Sequence, residues 1–201
     1  MKYSYLFLTA VLFLFGMSCQ QNQAEQKTDE TSAHDHSAHA AAEEEKPAKK
    51  PLSPRTSAMA NIGDSHVHID YSSPSVRGRT VWGGLVAYDQ VWVTGAHKAT
   101  SISFSKDVMI EGQKIAAGTY GFFTIPGKEE WVLILNKNAE QHLADDYDAA
   151  EDVIRIMAKP EVLEEPVEAL TYEVIPGEDG KGIISVSWEK IKVAFSIQNN
   201  S

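Results

Sequence analysis

From Ser53 onward the chain alternates with a period of two. Val67, Ile69 and Tyr71 alternate with His66, His68 and Asp70, and Ile102 and Phe104 alternate with Ser101, Ser103 and Ser105. Successive side chains of a strand point to opposite faces, so this pattern predicts half-buried strands. "DVMIEGQKI" reads as a strand, a Glu-Gly turn and a strand start, and "AGTYGFFTIPG" and "WVLILNK" as a strand pair joined through Pro126-Gly127-Lys128. "DVIRIMAKP" alternates less regularly and stops at Pro160, while "ALTYEVIPG", "GIISVSWEK" and "IKVAFSI" give further strands. Only "AEQHLADDYDAAED" has a briefly helical look, and it lacks an apolar face. Short strands punctuated by Gly and Pro predict an all-β fold, an antiparallel sandwich or barrel with at most one short helix.

The first residues break this pattern. Lys2 precedes an apolar run from Tyr3 to Phe15, shorter than the ~20 residues of a membrane-spanning helix. The run ends in Gly16-Met17-Ser18-Cys19, and Cys19 is the only cysteine of the 201 residues. Residues 1–18 therefore read as a lipoprotein signal, with Cys19 the lipidated N-terminus and the membrane a partner through that lipid. This implies the envelope of a Gram-negative-type bacterium, facing periplasm or exterior, and a domain without disulfides. Residues 19–52 read as a tether too polar to bury a core. It carries His34, His36 and His39 followed by Glu43, Glu44 and Glu45, a set suited to loose metal capture. The domain occupies residues 53–201.

Charge narrows the function. Loss of residues 1–18 removes one base, Lys2, of 18 and none of the 28 acids, so the formal charge of −10 becomes about −11. Nucleic acid is excluded as a natural partner, because its binders present basic surfaces.

Four of the seven histidines fall in the domain: His66, His68, His97 and His142. His66 and His68 share one strand face, spaced to chelate one ion. His97 follows a Thr94-Gly95-Ala96 bend, and His142 lies just beyond a strand end. Convergence of the four would make a site for Zn, Cu or Fe. Against a metal stands a metal-free module that grips a small molecule, glycan or protein with Trp82, Trp92 and the basic turn of Arg77 and Arg79. The structural alternative for these residues is core packing by the tryptophans, with Trp131 and Trp188, and pairing of the arginines with Asp or Glu. A third reading, a metal-dependent hydrolase or oxygenase, would use Asp70 or Asp145 as base. No Ser-His-Asp signature, phosphate loop or catalytic cysteine is present.

The stretch "DYSSPSVRGRTVWGGLVAYDQVWVTGAHKAT", continued in "KIAAGTYGFFTIPGKEEWVLILNK" and "YDAAEDVIRIMAKP", resembles the bacterial lipoprotein family of domain of unknown function 2911. The resemblance implies a secreted or lipid-anchored β-rich domain and no activity. The chain departs from the family's pattern at several positions. Ser73 stands where the family has Arg, and Val93 where it has a second Arg. His97 and Lys98 stand for Asn and Glu, and His142 for Trp. If those positions line one pocket, an imidazole-rich surface has replaced an Arg/Glu/Asn one.

Overall fold

The structure, a computed structural model, describes residues 51–199; the signal segment, Cys19 and the tether histidines lie outside them. Ten strands follow in order: β1 (Arg55–Ile62), β2 (Ser65–Ser72), β3 (Thr100–Phe104), β4 (Val108–Ile110), β5 (Gln113–Ile115), β6 (Gly118–Ile125), β7 (Trp131–Asn136), β8 (Asp152–Ala158), β9 (Glu161–Pro176) and β10 (Lys181–Gln198). They form two antiparallel sheets, a larger one ordered β1-β2-β3-β6-β7-β8 and a smaller one ordered β5-β4-β10-β9. Neither sheet closes into a barrel.

The alternation carries through to burial. Val67, Ile69 and Tyr71 are buried, whereas His66 is exposed and His68 and Asp70 are half-buried. Ile102 and Phe104 of β3, Leu133 and Leu135 of β7 and Ile154 and Ile156 of β8 extend this inward face. The small sheet answers with Ile184, Val186, Val193, Phe195 and Ile197.

β10 is 18 residues long and would span ~60 Å if straight. Instead it doubles back. Glu189, at its middle, has φ 53°, pairing with β9 shifts register on both sides of Glu189, and the Asn199 N–H donates to Gly180 O at 2.8 Å. β9 follows it through the bend (Ser185 opposite Glu173, Ile191 opposite Val162), and its last residues pair with β4 (Ile197 opposite Ile110).

All four tryptophans meet near this bend. Trp82 lies 4.9 Å from Trp131 and 5.9 Å from both Trp92 and Trp188, centroid to centroid, and Trp92 stacks on Trp188 at 5.8 Å. The indole N–H groups of Trp82 and Trp188 are buried without an oxygen or nitrogen acceptor. Edge-to-face packing gives such a donor a ring face instead.

The connection from Ser73 to Ala99 is long for a compact domain, and it is fastened at several points. The Val76 N–H donates to Glu168 O and the Leu170 N–H to Pro74 O, while Trp92 and Thr124 exchange both backbone bonds. Thr94 is fully buried with φ 50°, a costly conformation for a β-branched residue. Its carbonyl accepts from the Thr100 hydroxyl at 3.0 Å and from the Tyr172 hydroxyl at 2.8 Å. Val93 and Ala99 of this connection join Phe123 and Ile134 in a second small core.

Residues 139–152, the segment with a helical look, form a loop. Among the described residues the only helical turn is the 3-10 turn Ala149–Glu151. Polar side chains take over backbone donors at the loop's start, where Asn136 Oδ1 accepts from the Asn138 N–H and Asn138 Oδ1 from the Glu140 N–H, local bonds that compete with a helix. Asp148 Oδ1 accepts from the Ala150 N–H and caps the single 3-10 turn. The loop is pinned by Asp152, whose Oδ2 accepts from the Tyr147 hydroxyl and from Arg155 Nε, both at 2.7 Å. Burial, then the bond to Asp152, pushes the Tyr147 phenol up to about 12.

Candidate functional site

The four domain histidines form two separate pairs, so the expected convergence on one ion is not found. Among the described residues no group of three or more His, Cys, Asp and Glu side chains is placed to hold a metal. His66 and His68 lie on the outer face of β2, ring centroids 6.4 Å apart. His97 and His142 meet in loops, where Lys98 bridges His142 and the Leu143 N–H donates to His97 O at 2.7 Å. The register explains the separation. Asp70 pairs with Ser101, so His97 lies past the Ser72 end of β2, where a Cβ on Gly95 would sit 3.2 Å from Ser72 O. From His68 to Ser72 is four strand steps, ~13 Å.

The arginines and tryptophans put forward as a ligand grip have structural partners. Arg79 donates to Val76 O and Ser75 O, closing its own turn, and Arg77 Nη2 donates to Leu52 O, tying that turn to the segment before β1. They bond carbonyls, not the Asp or Glu expected as the structural alternative, although the Arg77 backbone N–H does reach Glu168 Oε1. Trp82 and Trp92 belong to the four-ring cluster, and Trp92 Nε1 donates to Gly95 O. Asp70 is held by Arg55 at 2.7 Å, and Asp145 is exposed on the loop. The positions departing from the family's pattern divide between the interior and the surface. Val93 is buried, and Ser73, also buried, donates to Leu170 O at 2.7 Å, while His97 and His142 are exposed.

The fold does contain a groove that the pattern of residues did not announce. It lies at the open end of the doubled strand β10, on the outward side of the small sheet, with a volume of about 630 Å³. Met109, Ile175 and Ile183 give it an apolar floor; Lys181 and Glu111 stand on its rim. Ile175 and Ile183 are direct partners across β9 and β10, each about two-fifths exposed. Two tight turns shape the rim. Glu111 and Gly112 both have positive φ, as a two-residue hairpin turn requires, and Asp179 and Gly180 turn β9 into β10. The sequence did hold a signal for it. Val174-Ile175 and Ile183-Ile184 are apolar doublets, and in a strand one member of a doublet must face outward.

The groove's volume falls within the ~300–1,000 Å³ of small-molecule sites. Its lining offers one cation, one anion and apolar surface, which suits binding. No curated protein and no solved structure matches the chain. The model of one family does match, over residues 53–197, and is described as a protein of unknown function, DUF2911. Its limits coincide with the two-sheet domain, and the chain belongs to the DUF2911 family.

Proposed function

We propose that this chain is a cell-envelope lipoprotein, anchored through Cys19, whose domain binds a small amphipathic molecule in a groove that uses no metal. The observation that carries the reading is the groove between β4, β9 and β10, where exposed Ile175 and Ile183 lie beside Lys181. An isolated surface isoleucine needs no explanation, but a cross-strand pair at the bottom of a concavity is the apolar part of a ligand site. The ligand chemistry follows from the lining. A short apolar body would cover the isoleucines and Met109, and an anionic end would meet the Lys181 ammonium.

The test is an NMR titration of the protein with octanoate and, separately, octylamine. Saturable shifts at Ile175, Lys181 and Ile183 with octanoate, weaker with octylamine and absent in Ile183→Asp, are expected. Shifts that do not saturate, or that persist unchanged in Ile183→Asp, would refute the reading.

A further inference from the structure

A second site lies on the other sheet, on the outer face of β1 and β2. β1 and β2 pair in register so that His68 is opposite Met59 and His66 opposite Asn61. Directly paired residues of an antiparallel ladder point to the same face. Two imidazoles, a thioether and an amide therefore occupy the four corners of one cross-strand square. Met59 is 53% exposed, an unusual place for a large apolar side chain on a polar strand face. Its neighbours on β1, Ser57 and Asn61, are polar and exposed. Packing does not account for it.

The amide has a definite role. Asn61 Oδ1 lies 2.9 Å from His66 Nδ1. An amide oxygen only accepts, so in the neutral ring Nδ1 carries the proton and Nε2 keeps its lone pair. This is the arrangement by which an outer partner orients a metal-ligating imidazole and fixes its tautomer. The acids nearby are otherwise engaged, since Asp70, next on the same face, is paired with Arg55. The remaining donors are two nitrogens and one sulfur.

We infer that His66, His68 and Met59 form a surface site for a copper ion, preferentially Cu(I), with Asn61 as the positioning residue. The donor set selects the metal. Imidazole serves Zn, Cu, Ni and Fe alike, but a thioether favours Cu(I) and adds little for Zn. Two imidazoles 6.4 Å apart reach a common ion after small rotations about their side-chain bonds. Three protein donors leave a coordination position open, so an ion held here is exchangeable. The site suits transient capture of copper.

The experiment uses the full mature chain, with His34, His36 and His39 changed to alanine in every arm so that only the domain is read. Cu(I) is titrated anaerobically in competition with a chromophoric Cu(I) chelator, and Zn(II) in parallel. One Cu(I) per chain is expected. Asn61→Ala should weaken it about tenfold, in line with lost outer partners, and His68→Ala by more. Met59→Leu should weaken Cu(I) while leaving Zn(II) unchanged. Because Cu(I) is diamagnetic, the Met59 methyl resonance should also shift on binding in the unsubstituted domain, which tests the ligand without a variant. Cu(I) affinity equal in His68→Ala and the parent would overturn the site, as would an unmoved Met59 methyl signal. Equal losses of Cu(I) and Zn(II) in Met59→Leu would overturn the assignment of copper.

Discussion

The doubled strand β10 has two ends, and they are built in opposite ways. At the bend, Trp188 meets Trp82 and Trp92, with Trp131 against Trp82, ring against ring. At the open end stand Gly180, Gly182 and Asn199, and a groove remains beside them. Large rings close one end; small residues and tight turns keep the other concave. Bulky aromatic residues are the conspicuous ones in a sequence, but here they serve stability. The surface available to a ligand comes from a pair of isoleucines and a lysine that attract no notice singly.

The contrast can be broken most severely at the closed end. Trp188→Ala removes a fully buried ring that touches two others, and large-to-small changes of this kind cost ~3–5 kcal/mol. A drop of that size in chemical unfolding is expected; a drop under about 1 kcal/mol would show that the rings fill space without supporting the fold. Next comes Gly182, on the inward side of the open end. A Cβ there would lie 2.5 Å from Ile62 Cδ1 and 2.9 Å from Ile175 O. The isoleucine tip can move, but the carbonyl belongs to the ladder. Gly182→Ala should therefore destabilise by ~1–3 kcal/mol, the range for overpacking, measured by the same unfolding curves.

How far these regions were readable in the sequence follows from which information is local. Strand positions were legible because a period of two is written in consecutive residues, as in His66 to Tyr71. The Glu111-Gly112 turn was legible because its backbone demands positive φ. Whether His97 joins His66 depended on the β2–β3 register and on where the connection from Ser73 to Ala99 is fastened, which are matters of tertiary pairing. The same holds for the tryptophans: they are scattered along the chain, and only the bend at Glu189 brings Trp188 to Trp92. Residues 139–152 misled for another reason, since Asn136 and Asn138 hold the N–H groups of Asn138 and Glu140 in local bonds, and the cap at Asp148 starts only a single 3-10 turn.

A smaller effect is expected where the loop is pinned on the large sheet. Tyr147→Phe loses the hydroxyl that bonds Asp152 and Arg155, worth about 1 kcal/mol. It also carries a pH signature. The folded phenol titrates at about 12 against an ordinary value of 10, so the unfolded chain loses this proton first. The contribution is complete below pH 10, falls as pH rises between 10 and 12, and is spent above that. Buried Tyr172 is shifted in the same direction, first by burial, and adds to the decline. The difference between parent and Tyr147→Phe across that window isolates Tyr147; parallel curves would mean that its phenol is not held protonated by the fold.

The smallest change in stability should come from the substitution that alters the groove most. Ile183 is 43% exposed and faces outward, beside Ile175 and away from the core formed by Ile184, Val186 and Phe195. Exposed positions without special geometry shift stability within about ±0.5 kcal/mol, so Ile183→Asp should unfold almost as the parent does. Its effect belongs to recognition, because a carboxylate on the groove floor repels an anionic ligand and wets the surface that an apolar body would cover. An unfolding curve matched to the parent, together with lost octanoate shifts, would separate the two ends of β10 by role, one for stability and one for binding. If Ile183→Asp instead unfolds as readily as Gly182→Ala, the isoleucine pair is packing after all, and the open end is as structural as the closed one.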